Sequence, residues 1–160
     1  MLGPRPKGRD ADDPPFTQAA QRLLSEARAE SDRLRHEYIG TEHVVLALAQ
    51  DADTAAFLKR LGVDREHVRA SLDSIVRPGQ ATLPHGAERP YTRKTQQAFA
   101  FAADCARSHG HTGVGVEHLV LGLLRQRMNL GAGVLQQHGL TMEQAAAEVQ
   151  QRGGGESAER

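Results

Sequence analysis

The sequence predicts an all-α fold built from a duplicated helical unit, and three observations support that prediction. The stretch GTEHVVLALAQ over residues 40–50 returns as GVEHLVLGLLR over residues 115–125, 75 positions later. Apolar residues recur at helical spacing along most of the chain, whereas no segment alternates apolar and polar residues convincingly. Apolar residues make up 39% of the 160 but aromatic ones only 4%, which favours tightly packed helices of Ala, Leu and Val.

Composition divides the chain into two repeats that are flanked and joined by polar segments. Proline, glycine and charged residues dominate three stretches, which favours disorder at both ends and a linker in the middle. The predicted organisation is a disordered leader over residues 1–15, a first repeat over 16–76, a linker over 77–90, a second repeat over 91–151 and a disordered tail over 152–160.

The helices of the first repeat have recognisable start and stop signals. Thr17 is predicted to N-cap the first helix, because its hydroxyl can accept a backbone N–H of the first turn. After the helix over residues 42–50, a short helix is predicted to start at residues 53–54 and to end at Gly62. Asp64 is predicted to cap the fourth helix, whose expected buried stripe consists of Val68, Leu72, Ile75 and Val76.

The second repeat restarts at Tyr91–Thr92, which corresponds to Phe16–Thr17 at the start of the first. Gly139 corresponds to Gly62, now 77 positions away, and Thr141 is predicted to cap the last helix. The predicted stripe of the fifth helix consists of Ala98, Phe99, Ala102 and Ala106. The pattern therefore predicts eight helices, four in each repeat.

Both copies of the repeated stretch open with a glycine and a Glu-His pair. We expect each glycine to take a turn, since glycine tolerates positive φ. Thr41 is predicted to N-cap the helix of the first copy, whereas Val116 would remove that cap from the second. Glu42 and Glu117 would then lie at the positive end of a helix dipole, where a carboxylate is favoured.

Charge and cysteine content limit the function classes. Lys+Arg and Asp+Glu both number 20, so the chain has no broad basic surface for nucleic acid or anionic lipid. The single cysteine, Cys105, cannot form an internal disulfide, and it is expected to be a buried structural thiol. With no apolar run of membrane-spanning length and no signal-like start, the sequence predicts a cytoplasmic protein.

Six segments together are similar to a known family. FTQAAQRLLSEA, YIGTEHVVLAL and FLKRLGV, followed by YTRKTQQAFAFA, VGVEHLVLGLL and VLQQHGL, resemble the double Clp N-terminal repeat, nearest to its ClpC subfamily. This is the substrate- and adaptor-docking domain of Clp-type AAA+ unfoldases. The resemblance covers about residues 16–151 and implies eight helices in two pseudo-twofold-related repeats. Because no G-x-x-x-x-G-K-[ST] phosphate loop is present, it implies a non-catalytic module without cofactors, either free-standing or excised.

The resemblance also implies a ligand. ClpC-like domains bind phosphorylated arginine in two related pockets that include the glutamates of the Glu-His pairs, which correspond to Glu42 and Glu117. A carboxylate suits the guanidinium N–H groups, and a helix N-terminus with a hydroxyl suits the phosphate. Thr17, Thr92 and Thr41 are the candidate hydroxyls. The alternative is that both glutamates only complement the helix dipole, for roughly 0.3–1 kcal/mol each.

Phe16 and Tyr91 open the two repeats and are candidates for a docking groove. The resemblance implies that such a groove binds adaptor peptides, or the cyclic-peptide antibiotics that bind this domain in related actinobacterial proteins. The alternative is a hydrophobic staple at each helix start.

Other chemistries remain as alternatives. His43 and His118 suggest a metal site, but the helical His-Glu-x-x-His spacing and its inverted form are missing, so packed, hydrogen-bonded imidazoles are expected instead. An enzyme on the histidine-rich loop His109–His118 would carry bound metal. A regulatory nucleic-acid-binding or partner-binding protein would use the first-helix arginines Arg22, Arg28, Arg33 and Arg35, which otherwise form a solvated face.

Overall fold

The computed structural model describes residues 12–126 and 128–152, and within them the fold is all-α, as predicted. The predicted disorder up to residue 11 and beyond residue 152 lies outside the described residues. The eight helices are α1 Gln18–Arg33, α2 Thr41–Gln50, α3 Ala52–Arg60, α4 Arg65–Ile75, α5 Arg93–Ser108, α6 Val116–Arg125, α7 Leu130–Gln137 and α8 Met142–Arg152.

The two copies of the repeated stretch, α2 and α6, form the centre of the molecule. Their sequences are apolar almost all round, and a helix of that kind is stable only when other helices cover it. The helix α2 packs against α1, α3, α4 and α7, and α6 packs against α5, α7, α8 and α1. A single continuous apolar core results. No helix in the described part of the chain is long and apolar enough to cross a membrane.

Backbone hydrogen bonds relate the two repeats by an internal twofold. The N–H of Thr17 donates to the carbonyl of Val114 over 3.0 Å, and the N–H of Thr92 donates to the carbonyl of Ile39 over 3.0 Å. Val114 and Ile39 donate back to the proline two residues before each threonine, over 2.8 and 2.9 Å. Each repeat therefore pairs its first residues with the loop before the central helix of the other repeat, at two short parallel bridges.

The predicted helix caps are mostly confirmed. Thr17 accepts the N–H of Ala20 over 3.1 Å, and Thr92 accepts the N–H of Thr95 over 3.2 Å. The side chains of Asp64 and Thr141 accept backbone N–H groups in the same way at α4 and α8. The predicted stops Gly62 and Gly139 have positive φ values of 77° and 101°.

One prediction about α3 and one about α4 are wrong. The helix α3 begins at Ala52 rather than at residues 53–54, because Asp51 is its cap and accepts the N–H of Thr54 over 3.0 Å. Ile75 does not belong to the buried stripe, since its side chain is 47% exposed. It is the last residue of α4, where the chain leaves the helix.

The linker and the residues before the first helix are held against the helices. Gly79 donates its N–H to the carbonyl of Leu34 over 2.7 Å, and the buried guanidinium of Arg89 pairs with Asp32 at 2.5 Å. In the predicted leader, the buried carboxylate of Asp13 pairs with Arg107. Residues 77–90 contain no helix, and they are held against the end of α1 by these bonds.

Candidate ligand-binding groove

A groove of about 470 Å³ lies where the start of α2 meets the starts of α5 and α7. Three of the candidate residues line this groove: Thr41 and Glu42 from the first repeat, and Thr92 from the second. The inter-repeat bond between Thr92 and Ile39 brings these helix starts together. The complete lining is Thr41, Glu42, Thr92, Arg93, Lys94 and Leu130.

The glycine before each central helix makes room for a carboxylate. The φ values of Gly40 and Gly115 are −99° and −95°, which is extended backbone, so the prediction of a positive-φ turn is wrong. A Cβ built on Gly40 would lie 2.9 Å from the carboxyl carbon of Glu42, and one on Gly115 would lie 3.0 Å from that of Glu117. Glycine is therefore needed because the glutamate side chain folds back over it.

The central helices are capped by histidines. The N–H of Gly40 donates to Nδ1 of His43 over 2.8 Å, and the N–H of Gly115 donates to Nδ1 of His118 over 2.9 Å. Each histidine is the third residue of its helix and fills the place that Glu or Gln takes in a capping box.

The prediction that Thr41 caps α2 is therefore wrong. Thr41 is the first helical residue, and its hydroxyl instead accepts the N–H of Gly131, at the start of α7, over 3.2 Å. Val116, at the equivalent place in α6, removes no cap because the histidine supplies it.

Each capping histidine is hydrogen-bonded to a second histidine, which confirms the expectation of packed imidazoles. Nε2 of His43 lies 2.8 Å from Nδ1 of His36, and the same two atoms of His118 and His111 lie 2.8 Å apart. Since Nδ1 of His43 accepts a backbone N–H, its proton is on Nε2 and is donated to His36. Nε2 of His36 in turn lies 2.8 Å from the carbonyl of Arg77.

This chain of hydrogen bonds requires neutral rings. Burial, together with the electrostatic effect of His36, Arg89 and Arg33, lowers the pKa of His43 to about 3. Burial also lowers the pKa of His111. Among the described residues, no group of three or more His, Cys, Asp and Glu side chains is arranged to hold a metal ion.

The two candidate glutamates have different surroundings. Glu42 is half-buried and lines the groove, whereas Glu117 is 2% exposed. Burial raises the pKa of the Tyr38 hydroxyl, and the nearby charge of Glu42 raises it further. Burial likewise raises the pKa of the Cys105 thiol, and the nearby charge of Glu117 raises it as well. Cys105 is buried, as predicted.

The hydroxyls differ in the same way as the glutamates. Thr92 is half-exposed in the groove beside Glu42, whereas Thr17 is buried beside the loop that leads to Glu117. Thr41 is buried as well, although it contributes to the groove wall.

Two cations in the groove were missed by the sequence reasoning. Arg93 and Lys94 follow Thr92 directly, and both are exposed. The ammonium group of Lys94 donates to the carbonyl of Met128. The equivalent residues of the first repeat are Gln18 and Ala19. This difference in charge is visible in the sequence when the residues after Thr17 are aligned with those after Thr92.

The rings of Phe16 and Tyr91 both pack on Phe99. Their centroids lie 5.6 and 4.9 Å from its centroid in edge-on geometry. The fourth residues of α1 and α5, Gln21 and Gln96, donate their side-chain amides to the carbonyls of Phe16 and Tyr91. A hydrogen bond from a glutamine therefore takes the place of the apolar contact of a hydrophobic staple. The two rings remain half-buried against the core.

The arginines of α1 face carboxylates. Arg22 lies 2.7 Å from Asp53, and Arg28 lies 3.1 Å from Glu88. Arg33 pairs with Glu30 and Asp73. The arginine side chains of these pairs are exposed, in keeping with the predicted solvated face, and their pairing leaves little net positive charge along α1.

Fold and duplication together define a double-repeat, all-helical domain. The sequence profile described as "Clp repeat (R) N-terminal domain" matches residues 15–138 and, overlapping them, 90–154. The chain therefore belongs to the Clp repeat N-terminal domain family.

The relatives by sequence include ClpC proteins of two bacteria. The chain is 34% identical over 140 residues to the negative regulator of genetic competence ClpC/MecB of Bacillus subtilis, which covers 85% of this chain and 17% of that protein. It is 32% identical over 136 residues to the Clp protease ATP-binding subunit ClpC of Staphylococcus aureus, covering 84% of this chain and 16% of that protein. The chain thus spans about a sixth of the length of these relatives and corresponds to their N-terminal domain alone.

Solved structures show the same fold. The N-terminal domain of the chaperone ClpD from Arabidopsis thaliana has a TM-score of 0.65 at 24% identity, covering 86% of this chain and 93% of that one. The Hsp104 N-terminal domain from Candida albicans has a TM-score of 0.69 at 15% identity, covering 88% and 93%. These likenesses agree with the predicted arrangement of eight helices in two repeats.

Proposed function

We propose that this chain is a non-catalytic recognition module of Clp-type proteolysis that binds phosphorylated arginine side chains of marked proteins in the Glu42 groove. The observation that carries the proposal is that residues of opposite charge line one groove. The carboxylate of Glu42 comes from one repeat, and the cations Arg93 and Lys94 come from the other.

Phosphoarginine has the same two charges in one side chain. Its guanidinium presents several N–H donors, for which a carboxylate is the strongest acceptor in a protein. Its phosphate needs donors and positive charge, which Arg93, Lys94 and the hydroxyl of Thr92 supply beside that carboxylate. Plain arginine would leave the cations without an anionic partner, and inorganic phosphate would be repelled by Glu42.

The groove is shallow and open to solvent, and its volume is large enough for a single side chain. Small-ligand sites generally occupy about 300–1,000 Å³, and the volume here is about 470 Å³. Glu42 forms no ion pair with any residue that the structure describes, so its carboxylate is available to a ligand.

Isothermal titration calorimetry with free phosphoarginine, arginine and inorganic phosphate tests the proposal. The parent protein should bind phosphoarginine at least about tenfold more tightly than either of the others, and Glu42→Gln should weaken that binding by at least about tenfold. Glu37→Gln, an exposed glutamate in the loop before α2, is the matched control and should bind like the parent. Equal affinity of the parent and Glu42→Gln would contradict the proposal.

The other predicted partners are adaptor proteins, a ClpC-type unfoldase and cyclic-peptide antibiotics, and we propose the half-buried rings of Phe16 and Tyr91 as their contact. The alternative of nucleic-acid binding through α1 is disfavoured, because its arginines already pair with carboxylates.

A further inference from the structure

We propose that Glu26 holds a proton at neutral pH and shares it with Asp51, and that loss of this proton loosens the contact between α1 and the start of α3. This proton switch is a property of the first repeat and does not depend on a ligand in the groove.

Glu26 lies where α1 meets the start of α3. Its side chain is half-buried, its atom Oε2 is removed from solvent, and no N–H or O–H group in the described part of the chain donates to that atom. The carboxyl groups of Glu26 and Asp51 are within hydrogen-bonding reach of each other. Two carboxyl groups form a hydrogen bond only when one of them carries a proton. The contact between α1 and α3 therefore requires a protonated carboxyl group.

The proton belongs to Glu26, because Asp51 is already an acceptor through both of its oxygens. Oδ1 of Asp51 accepts the Nε–H of Arg22 over 3.3 Å, and Oδ2 accepts the N–H of Thr54 over 3.0 Å as the cap of α3. Although burial opposes it, the hydrogen bonds from Thr54 and Arg22 keep the pKa of Asp51 below its ordinary value. Burial and the neighbouring Asp51 raise the pKa of Glu26 to about 7.

Charged groups from three elements lie around this carboxyl group or pair with its neighbours. Arg22 of α1 favours the ionised form, but its guanidinium is shared between Asp51 and Asp53, 3.3 and 2.7 Å away. Glu30, also of α1, disfavours ionisation, and Arg69 of α4 partly neutralises it from 3.3 Å. Ionisation would therefore add a third carboxylate to a cluster that the single cation Arg22 already bridges.

The second repeat has an uncharged version of the same junction. Gln97 and Gln126 stand 75 positions after the arginine and the aspartate of the first repeat, and their side-chain amides hydrogen-bond to each other. Phe101 takes the place of Glu26, and the neutral Asn129 caps α7. The same contact is thus built without an ionisable pair, and the start of α7 is a comparison helix within the molecule.

Loss of the proton would place two carboxylates side by side at the cap of α3. This helix has only nine residues, and so short a helix depends on its cap. Repulsion would draw the side chain of Asp51 away from the N–H of Thr54 and loosen the first turn of α3.

The sign of the effect follows from the raised pKa of Glu26. The unfolded chain loses this proton near the ordinary value of 4.5 and the folded chain near 7, so the stability that the contact contributes is complete below pH 4.5 and is lost as the pH rises through about 7. Titration of His43 acts on global stability in the opposite direction, so the switch is measured locally.

Hydrogen exchange of backbone amides, detected by NMR and corrected for the intrinsic pH dependence of exchange, tests the loosening. Protection of residues 54–56 should fall at least about fivefold between about pH 6 and about pH 8, which is roughly the effect of losing an N-cap. Residues 132–134, at the start of α7, should change by less than about twofold. Glu26→Gln keeps a donor for Asp51 and cannot ionise, so its protection should stay high at both pH values. The matched control Glu37→Gln, an exposed glutamate, should behave like the parent.

A ¹³C NMR titration of the Glu26 side-chain carboxyl tests the shared proton directly. Its midpoint should lie near 7 in the parent, and Asp51→Asn, which keeps a cap oxygen but removes the charge, should lower it. A midpoint near 4.5 in the parent would overturn the shared proton. A midpoint near 7 without loss of protection in α3, or with an equal loss in α7, would overturn the loosening of α3.

Discussion

The two repeats share their internal hydrogen bonds and differ in the charge and access of their candidate sites. Both have a threonine cap on the first helix, a histidine cap on the central helix and a second histidine bonded to the first. Among the described residues, Glu42 of the first repeat lines a groove together with Arg93 and Lys94, whereas Glu117 of the second repeat is buried. The features that both repeats share include the caps, which satisfy buried backbone groups, and folding requires such groups to be hydrogen-bonded. The charged residues that line a groove are not needed for folding and can differ between the repeats.

The largest expected effect comes from acidifying the histidine pairs. The pKa of His43 in the fold, about 3, lies below its ordinary value of 6.5, so the unfolded chain binds the proton more readily. The stability due to the neutral ring is complete above pH 6.5 and is lost as the pH falls from 6.5 towards 3, at about 1.4 kcal/mol per pKa unit. Urea unfolding at several pH values should therefore show a fall of several kcal/mol.

Variants with glutamine in place of histidine compare how much each repeat contributes to the pH dependence of stability. His43→Gln keeps an acceptor for the N–H of Gly40 and should flatten most of the pH dependence. His111→Gln, in the second repeat, should flatten it less, because His111 is only half-buried. Parallel pH curves for His43→Gln and the parent would disprove the role of this ring.

A smaller effect is expected at Gly122, where α6 lies against the backbone of α5. A Cβ on Gly122 would lie 3.1 Å from the backbone nitrogen of Ala102, whereas the equivalent residue of the first repeat is already Ala47. Gly122→Ala should push α5 and α6 apart at a net cost of about 1–3 kcal/mol in the free energy of unfolding. Chemical denaturation measures it, and a stabilised Gly122→Ala variant would show that the packing has room.

The smallest predicted difference concerns the glycines before the central helices. Gly115→Ala would displace a buried carboxylate and should cost about 1–2 kcal/mol, whereas Gly40→Ala should cost less than about 1 kcal/mol because Glu42 can turn into solvent. Thermal denaturation of both variants measures the difference. Gly40→Ala should in addition weaken phosphoarginine binding, and equal stability losses at the two positions would contradict the difference in burial.

Much of the fold could be predicted from the sequence because its signals are local. The threonine caps, the glycine stops and the apolar spacing of the helices each depend on a few neighbouring residues. The 75-residue repeat then predicted the internal twofold, which the paired bonds of Thr17 and Thr92 confirm.

The site could be predicted only in part because its parts come from different repeats. Thr41 looked like a cap, and only the fold shows that a histidine two residues later takes that role. The burial of Glu117 depends on residues far away in the sequence, so it could not be predicted from the similarity of Glu117 to Glu42. Arg93 and Lys94 can be recognised as groove residues only from the fold, which places the start of α5 beside Glu42.

Amide chemical shifts of the ¹⁵N-labelled protein during a phosphoarginine titration test the central claim most directly. The account predicts saturable shifts at the amides of Thr41–His43 and Arg93–Lys94, and none of comparable size at Val116–His118. Equal shifts at both glutamate sites, or shifts confined to the second, would contradict the claim that the Glu42 groove is the binding site.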